Sequence, residues 1–226
     1  MDEVAELSAW CSSAGIPLLS VYEKTGVLKN YMPALKELVG QKLASYFGAP
    51  PTCPSLRVFA PNHTGSSRSP SPNPMSKLER IAPALDTQRR HLNLLLLSAS
   101  DGRDTLVDLT RTLTEMSQSQ KLLPKDITVD LIDAEISATT SIPSTKTTSA
   151  TPTAEPDLLI VFGPSVKLQG YPPWQVRLTE IFCVGDSSAD VSGYGKGRSG
   201  NAARVEYQAF LRGLWRFAGA EMRFGR

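Results

Sequence analysis

Apolar residues recur at helical spacing from the first turn of the chain: Val4, Leu7, Cys11 and Ala14 share one face, and Gly15 follows where a helix ends. Pro17-Leu18-Leu19-Ser20-Val21-Tyr22 then reads as a buried strand. Asn30 can cap a helix over 31–47 whose apolar face holds Tyr31, Leu35, Leu38, Val39, Leu43 and Tyr46, with Pro33 tolerated in its first turn. Four consecutive leucines, Leu94-Leu95-Leu96-Leu97, make 91–98 a central strand. Ser100 or Asp101 can cap the next helix, which gathers Leu106, Leu109, Leu113 and Met116 on one side. The pattern over 125–132 fits a strand or a short helix. Residues 158–162 form a second apolar strand, 173–176 open a short helix or turn, and 178–184 return as a strand. The final helix is expected over 203–220, with Tyr207, Phe210, Leu211, Leu214 and Ala218 inward and Arg204, Arg212 and Arg216 outward. Such an alternation of helices and strands favours a layered α/β fold.

Three stretches break this pattern. Residues 49–76 hold seven prolines amid Ser and Asn, with only Leu56-Arg57-Val58-Phe59 as a short strand. From 137 to 156, eleven of twenty residues are Ser or Thr, the composition of a linker-like loop. Residues 185–200 carry five glycines. Disordered insertions are therefore expected at 49–76, 137–155 and 185–203, the first two being replaceable by short linkers. The remainder of the 226 residues, 41% hydrophobic and 20% charged over the whole chain, suffices for one α/β domain. A net charge of +2 gives no reason to invoke nucleic acid. Cys11, Cys53 and Cys183 are odd in number and far apart, so they form neither a zinc spacing nor a disulfide framework, and a reducing compartment is the simpler reading. No stretch is apolar enough to span a bilayer and no signal pattern opens the chain.

Conventional catalytic groups are scarce. His63 lies in the Pro-rich stretch and His91 stands just before a strand, so both read as structural or solvated. Asp157 precedes a strand and suits a turn or cap better than a metal. Gly193-Tyr194-Gly195-Lys196-Gly197-Arg198 lacks the strand before it and the Lys-Ser/Thr pair that a phosphate-cradling loop needs. No Ser-His-Asp order or nucleophile elbow appears, so no catalytic and no metal-ligating residue is assigned.

The end of the sequence is more telling. Arg223-Phe224-Gly225-Arg226 combines a permanent cation with a glycine whose backbone an anion can approach, a pairing suited to a diphosphate, although a basic end after a helix is ordinarily a solvated tail. A second segment supports the anion reading. Asp157, Leu168, Trp174, Gln175 and Glu180 fall on the pattern by which the stretch resembles the cis-prenyltransferase family, whose catalytic members also end near Arg-x-Gly. Where those members carry a phosphate-binding Arg, a Glu and a second Arg, this chain has Val161, Ser165 and Lys167. Where they carry an acidic loop built on Asp-Gly-Asn-Arg-Arg, it has Ser20-Val21-Tyr22-Glu23-Lys24-Thr25-Gly26-Val27-Leu28-Lys29. These departures, with Pro156-Asp157-Leu158, Phe162-Gly163-Pro164, Gly170-Tyr171, Pro173-Trp174, Arg177-Leu178-Thr179-Glu180-Ile181 and Glu221-Met222-Arg223 in order, make the chain resemble one branch. It is the non-catalytic accessory subunit of the eukaryotic dehydrodolichyl diphosphate synthase complex, of the Nogo-B receptor type.

The resemblance implies a cis-prenyltransferase-like single domain, 1–226, with a mostly parallel central sheet flanked by helices. It implies a subunit inactive alone that serves dolichol synthesis and protein glycosylation as part of a polyprenyl diphosphate synthase. Arg223, Phe224 and Gly225 would cross the interface to bind isopentenyl diphosphate in the catalytic partner's site, and Mg2+ would be bound mainly by that partner. The strand bearing Glu180 would form the partner contact, which places Trp174, Leu178, Glu180 and Phe182 in an interface, with Glu180 buried and needing a cation or N–H donors. Relatives usually carry an N-terminal membrane segment, so the chain is expected at the cytosolic face of the endoplasmic reticulum membrane, held there by a missing segment or by the partner. Three alternatives stay open: a competent homodimeric cis-prenyltransferase, a purely structural membrane scaffold, and an unrelated α/β enzyme of small metabolites.

Overall fold

A computed structural model of the chain describes residues 1–62, 90–140, 155–176, 178–185 and 204–220. Helix α1 (Asp2–Ser13) buries Val4, Leu7 and Cys11 as their spacing predicts, and Gly15 follows at φ +74°; Ala14 is exposed. Strand β1 (Leu18–Tyr22) is half-buried along its length. A four-residue helix, α2 (Val27–Asn30), precedes α3 (Met32–Phe47). Asn30 therefore closes α2 and does not cap α3, and Tyr31 at the junction is exposed, as is Tyr46. Leu35, Val39 and Leu43, one per turn, are fully buried.

Strand β2 (Ser55–Phe59) and strand β3 (His91–Leu97) come next, then α4 (Arg103–Gln118) and α5 (Val129–Thr140). The ambiguous segment before residue 132 is thus a 3-10 turn, Pro124–Asp126, followed by helix, because Pro124 starts a turn that a strand cannot accommodate. Strands β4 (Leu158–Val161) and β5 (Glu180–Cys183) flank a 3-10 turn at Pro173–Val176, and α6 (Tyr207–Gly219) closes the described chain. Along α6, Phe210 is buried and Leu211 and Leu214 are half-buried, whereas Tyr207 and Ala218 face solvent. The same correction holds for α4: Leu106, Leu109 and Leu113 are half-buried and Met116 is exposed, so its apolar stripe lies at the surface.

Among the described residues all strand pairings are parallel. They fall into a three-stranded sheet of order β1-β3-β2 and a two-stranded sheet β4-β5. The leucine run of β3 is apolar on both faces because both are covered, as parallel sheets with helical crossovers require. Leu94 and Leu96 pack with Ala5, Leu35 and Val39 of α1 and α3, while Leu95 and Leu97 pack with Tyr171 on the other side. Each of these leucines is at most 2% exposed and stabilises the fold by about 1.5–3 kcal/mol. The two sheets share one core, since Leu159 of β4 packs on the cluster that also takes Leu18 and Tyr22 of β1.

Two expectations about insertions change. Part of the stretch 49–76 is ordered in the fold: β2 pairs with β3 through Ser55↔His91 to Phe59↔Leu95, and Ala60 is buried in the core. Residues 63–76 lie outside the described residues. The boundary at 137 also moves, because α5 continues to Thr140; residues 141–154 and 186–203 lie outside the described residues.

Candidate functional site

In open parallel sheets, ligand sites form where loops leave the C-terminal ends of the strands. Here three such loops interlock. The loop after β1 joins the one after β3 through Glu23 N–H to Leu97 O at 2.9 Å and Ala99 N–H to Lys24 O at 3.2 Å. The Tyr22 hydroxyl donates to Gln169 O at 2.8 Å, and its ring meets Tyr171 edge to face at 5.3 Å. Partial burial, and then the carboxylates of Glu23, Asp101 and Asp104, push the Tyr22 phenol up, so it remains a donor.

Each loop is closed from within. Glu23 accepts from Thr25 N–H at 2.8 Å, the Thr25 hydroxyl at 2.6 Å and Val27 N–H at 2.8 Å. Burial pushes the Glu23 carboxyl up, but these bonds and one from Gly26 outweigh it and hold the group below its ordinary 4.5. A depressed folded value means the contribution to stability is complete above 4.5 and is lost as pH falls through the lower folded value. The loop should accordingly loosen on acidification, seen as falling amide protection factors at Thr25 and Val27 as pH drops below 4.5; pH-independent protection factors there would refute the assignment.

Beneath this loop lies a buried ion pair. Lys29 of α2 donates from Nζ to Asp101 Oδ2 at 2.5 Å and to Pro61 O at 2.8 Å, with side chains 7% and 0% exposed. Asp101 Oδ2 also accepts Ser98 N–H at 2.7 Å and the Ser98 hydroxyl at 3.0 Å, while Oδ1 accepts Asn62 Nδ2 at 3.2 Å. Asp101 therefore caps the short turn Ala99–Asp101 together with Ser98; neither it nor Ser100 caps α4, whose N-cap is Gly102. Both carboxylate oxygens accept hydrogen bonds from the protein, three on Oδ2 and one on Oδ1, so Asp101 serves the fold. Among the described residues no three His, Cys, Asp or Glu side chains gather as ligands would. Burial pushes the Cys11 thiol up to about 12, so it packs as an apolar group.

Gly102 seals the third loop. A Cβ at this position would lie 2.1 Å from the carbonyl oxygen of Gly170, itself at φ +92°. Gly102→Ala should therefore push the 169–172 loop away and cost about 3 kcal/mol, the upper part of the overpacking range. Urea unfolding measures it, and a loss under 0.5 kcal/mol would show that the two loops are not in register.

Of the residues expected to act, Arg223, Phe224 and Gly225 lie outside the described residues, as do His63 and Arg177. Val161 is half-buried in β4, and Lys167 is exposed. Asp157 holds a strand end, its carbonyl accepting Glu180 N–H at 3.0 Å. The four expected interface residues differ in exposure. Phe182 is 5% exposed and belongs to the core; Leu178 is 55% exposed. Trp174 is half-buried and donates from Nε1 to Asp133 of α5 at 2.7 Å. Glu180 does find a cation, Arg216 Nε at 3.2 Å, but its side chain is 29% exposed and not buried. Arg216, expected to be an idle outward arginine, thus ties α6 to β5. The sequence reading missed the Lys29–Asp101 and Arg216–Glu180 pairs, which no local signal marks. The Ser98-x-x-Asp101 spacing was the one legible cue, a capping box.

No family model matches the chain. Among curated proteins it is 32% identical over 228 residues to the dehydrodolichyl diphosphate synthase complex subunit NUS1 of Saccharomyces cerevisiae, covering all of this chain and 53% of that protein. It is 31% identical over 225 residues to the nus1 subunit of Schizosaccharomyces pombe, covering 100% of this chain and 69% of that one. The chain thus spans about half to two thirds of the length of these relatives. Among solved structures it is similar to lavandulyl diphosphate synthase from Lavandula x intermedia in complex with dimethylallyl diphosphate, with a TM-score of 0.53, 17% identity, all of this chain and 86% of the other. That likeness concerns the fold, and it agrees with the expected α/β cis-prenyltransferase-like domain.

Proposed function

Since this chain belongs to the NUS1 family of dehydrodolichyl diphosphate synthase complex subunits, we propose that it is the accessory subunit of a heteromeric cis-prenyltransferase making dehydrodolichyl diphosphate for dolichol synthesis and protein glycosylation. The observation that carries this reading is the closed state of its strand-end loops. Adding an isoprenyl unit needs an allylic diphosphate held by amides, cations and a metal while it ionises. In this chain the amides of Thr25 and Val27 are taken by Glu23, and Lys29 is committed to Asp101. A diphosphate placed there would face a fixed carboxylate in place of open N–H donors. In this reading Mg2+ is bound mainly by the catalytic partner; among the described residues no ligand cluster for a metal gathers.

What this chain contributes is the terminal Arg223-Phe224-Gly225, offered in trans to isopentenyl diphosphate in the partner's site. A guanidinium supplies two parallel charge-assisted bonds to a phosphate, and the glycine leaves its amide accessible. Interface contact runs through exposed Leu178 and the Glu180–Arg216 pair, with Trp174 positioning the segment against α5 and Phe182 packing behind it. The same reading places the complex at the cytosolic face of the endoplasmic reticulum membrane, held there by a membrane segment or by the partner. Among the described residues no helix is long and apolar enough to cross a membrane.

The test is an elongation assay with isopentenyl and farnesyl diphosphates. The chain alone should give no product, the catalytic partner alone little, and the mixture long polyprenyl diphosphates. Turnover by the chain alone would establish a self-sufficient enzyme. Equal turnover by the partner with and without the chain would leave only a scaffold.

A further inference from the structure

Away from the strand-end loops, a groove of about 740 Å³ opens between α1, the last turn of α3 and the start of α6. We propose that it docks an arginine-bearing segment of a partner polypeptide. Its walls are aromatic: Tyr46 and Tyr207 are 55% and 50% exposed, and half-buried Trp10 meets the Tyr207 ring at 5.2 Å. Its rim is acidic. Asp2, Glu3, Glu6 and Glu206 set four carboxylates against the cations Lys42 and Arg204, an excess of two negative charges. Trp and Tyr with carboxylates around them recognise a guanidinium by its face and its edge together, through cation–π contact and bidentate hydrogen bonds.

The chain's own lysine demonstrates the chemistry. Lys42 pairs with Glu6 at one end and lies over the Tyr46 ring, 5.9 Å from its centroid. The hydrogen bond that Lys42 donates to Glu6 pushes its ammonium up against a smaller opposing effect of desolvation. The other end, formed by Trp10, Tyr207, Asp2 and Glu206, presents the same combination, and there Glu206 makes no side-chain cap on α6. A polypeptide is favoured over a small cation because the groove exceeds one ammonium group many times over and is lined by exposed Tyr and half-buried Trp, residues enriched at protein interfaces.

Binding of acetyl-Arg-Arg-Arg-amide to the full chain can be followed by calorimetry, with a tri-glutamate peptide and choline chloride as comparisons. Saturable binding of the arginine peptide is expected, reduced roughly tenfold in the Asp2→Asn/Glu206→Gln double variant and to a similar degree in Tyr207→Ala. All three substitutions fall on exposed side chains, and unchanged thermal melts confirm that each variant is folded. The proposal is overturned by no saturable heat, by equal binding in both variants, or by choline binding tighter than the peptide. It is overturned equally if Tyr207→Ala abolishes self-association of the chain, since the occupant would then be a second copy.

Discussion

Arg223→Ala should lower elongation by the reconstituted complex roughly ten- to a hundredfold while leaving the complex assembled, because losing a charge-assisted contact to a diphosphate costs on the order of 1.5–3 kcal/mol. Gly225→Val should do at least as much harm, since a branched side chain keeps the backbone amide off the phosphate. The control must be an arginine without a role at the interface. Arg216 does not qualify, because it holds Glu180 of β5, whereas Arg111 of α4 has a local ion pair with Asp108 at 3.7 Å. Assembly is measured by co-purification with the partner and activity at saturating partner. If Arg223→Ala and Arg111→Ala elongate equally well, the terminal motif is a solvated tail and the assignment in trans is wrong.

The second large effect belongs to stability. Lys29→Met or Asp101→Leu leaves one buried charge without its partner, which costs about 3–5 kcal/mol. For a domain of ordinary stability that is a large share of the total. The double variant should recover much of the loss, because removing both ions also removes both desolvation penalties. Chemical unfolding of the wild type, the two single variants and the double variant gives the coupling directly. Additive losses in the double variant would mean that Lys29 and Asp101 act separately. The pair links α2, the segment just after β2 and the turn after β3, so the single variants should also reduce assembly with the partner by depleting the folded chain.

Much of the fold was legible because its cues are local. Helical spacing marks α1 and α3, where Val4, Leu7, Cys11, Leu35, Val39 and Leu43 are buried, and an unbroken apolar run marks β3, which is covered on both faces. Errors collected where exposure depends on what lies opposite. Tyr31, Tyr46 and Tyr207 fit an apolar stripe by spacing and yet face solvent. The stripe of α4 is regular but half-covered. The short strand legible at 56–59 is present as β2, but the Pro-rich composition around it hid that it belongs to the core sheet, where its pairing with β3 holds it more than its own propensity does.

The candidate site divides in the same way. By itself the sequence determined the family likeness, the terminal Arg-x-Gly and the absence of the acidic loop, since these are identities of residues in order. Only the tertiary structure decided that the described strand-end loops are bonded to one another. Lys29 meets Asp101 across 72 positions, Arg216 meets Glu180 across 36, and Gly102 admits the Gly170 carbonyl from 68 positions away. No local periodicity specifies such pairings. Chain folding brings the groups together, and desolvation then makes each unpaired alternative costly.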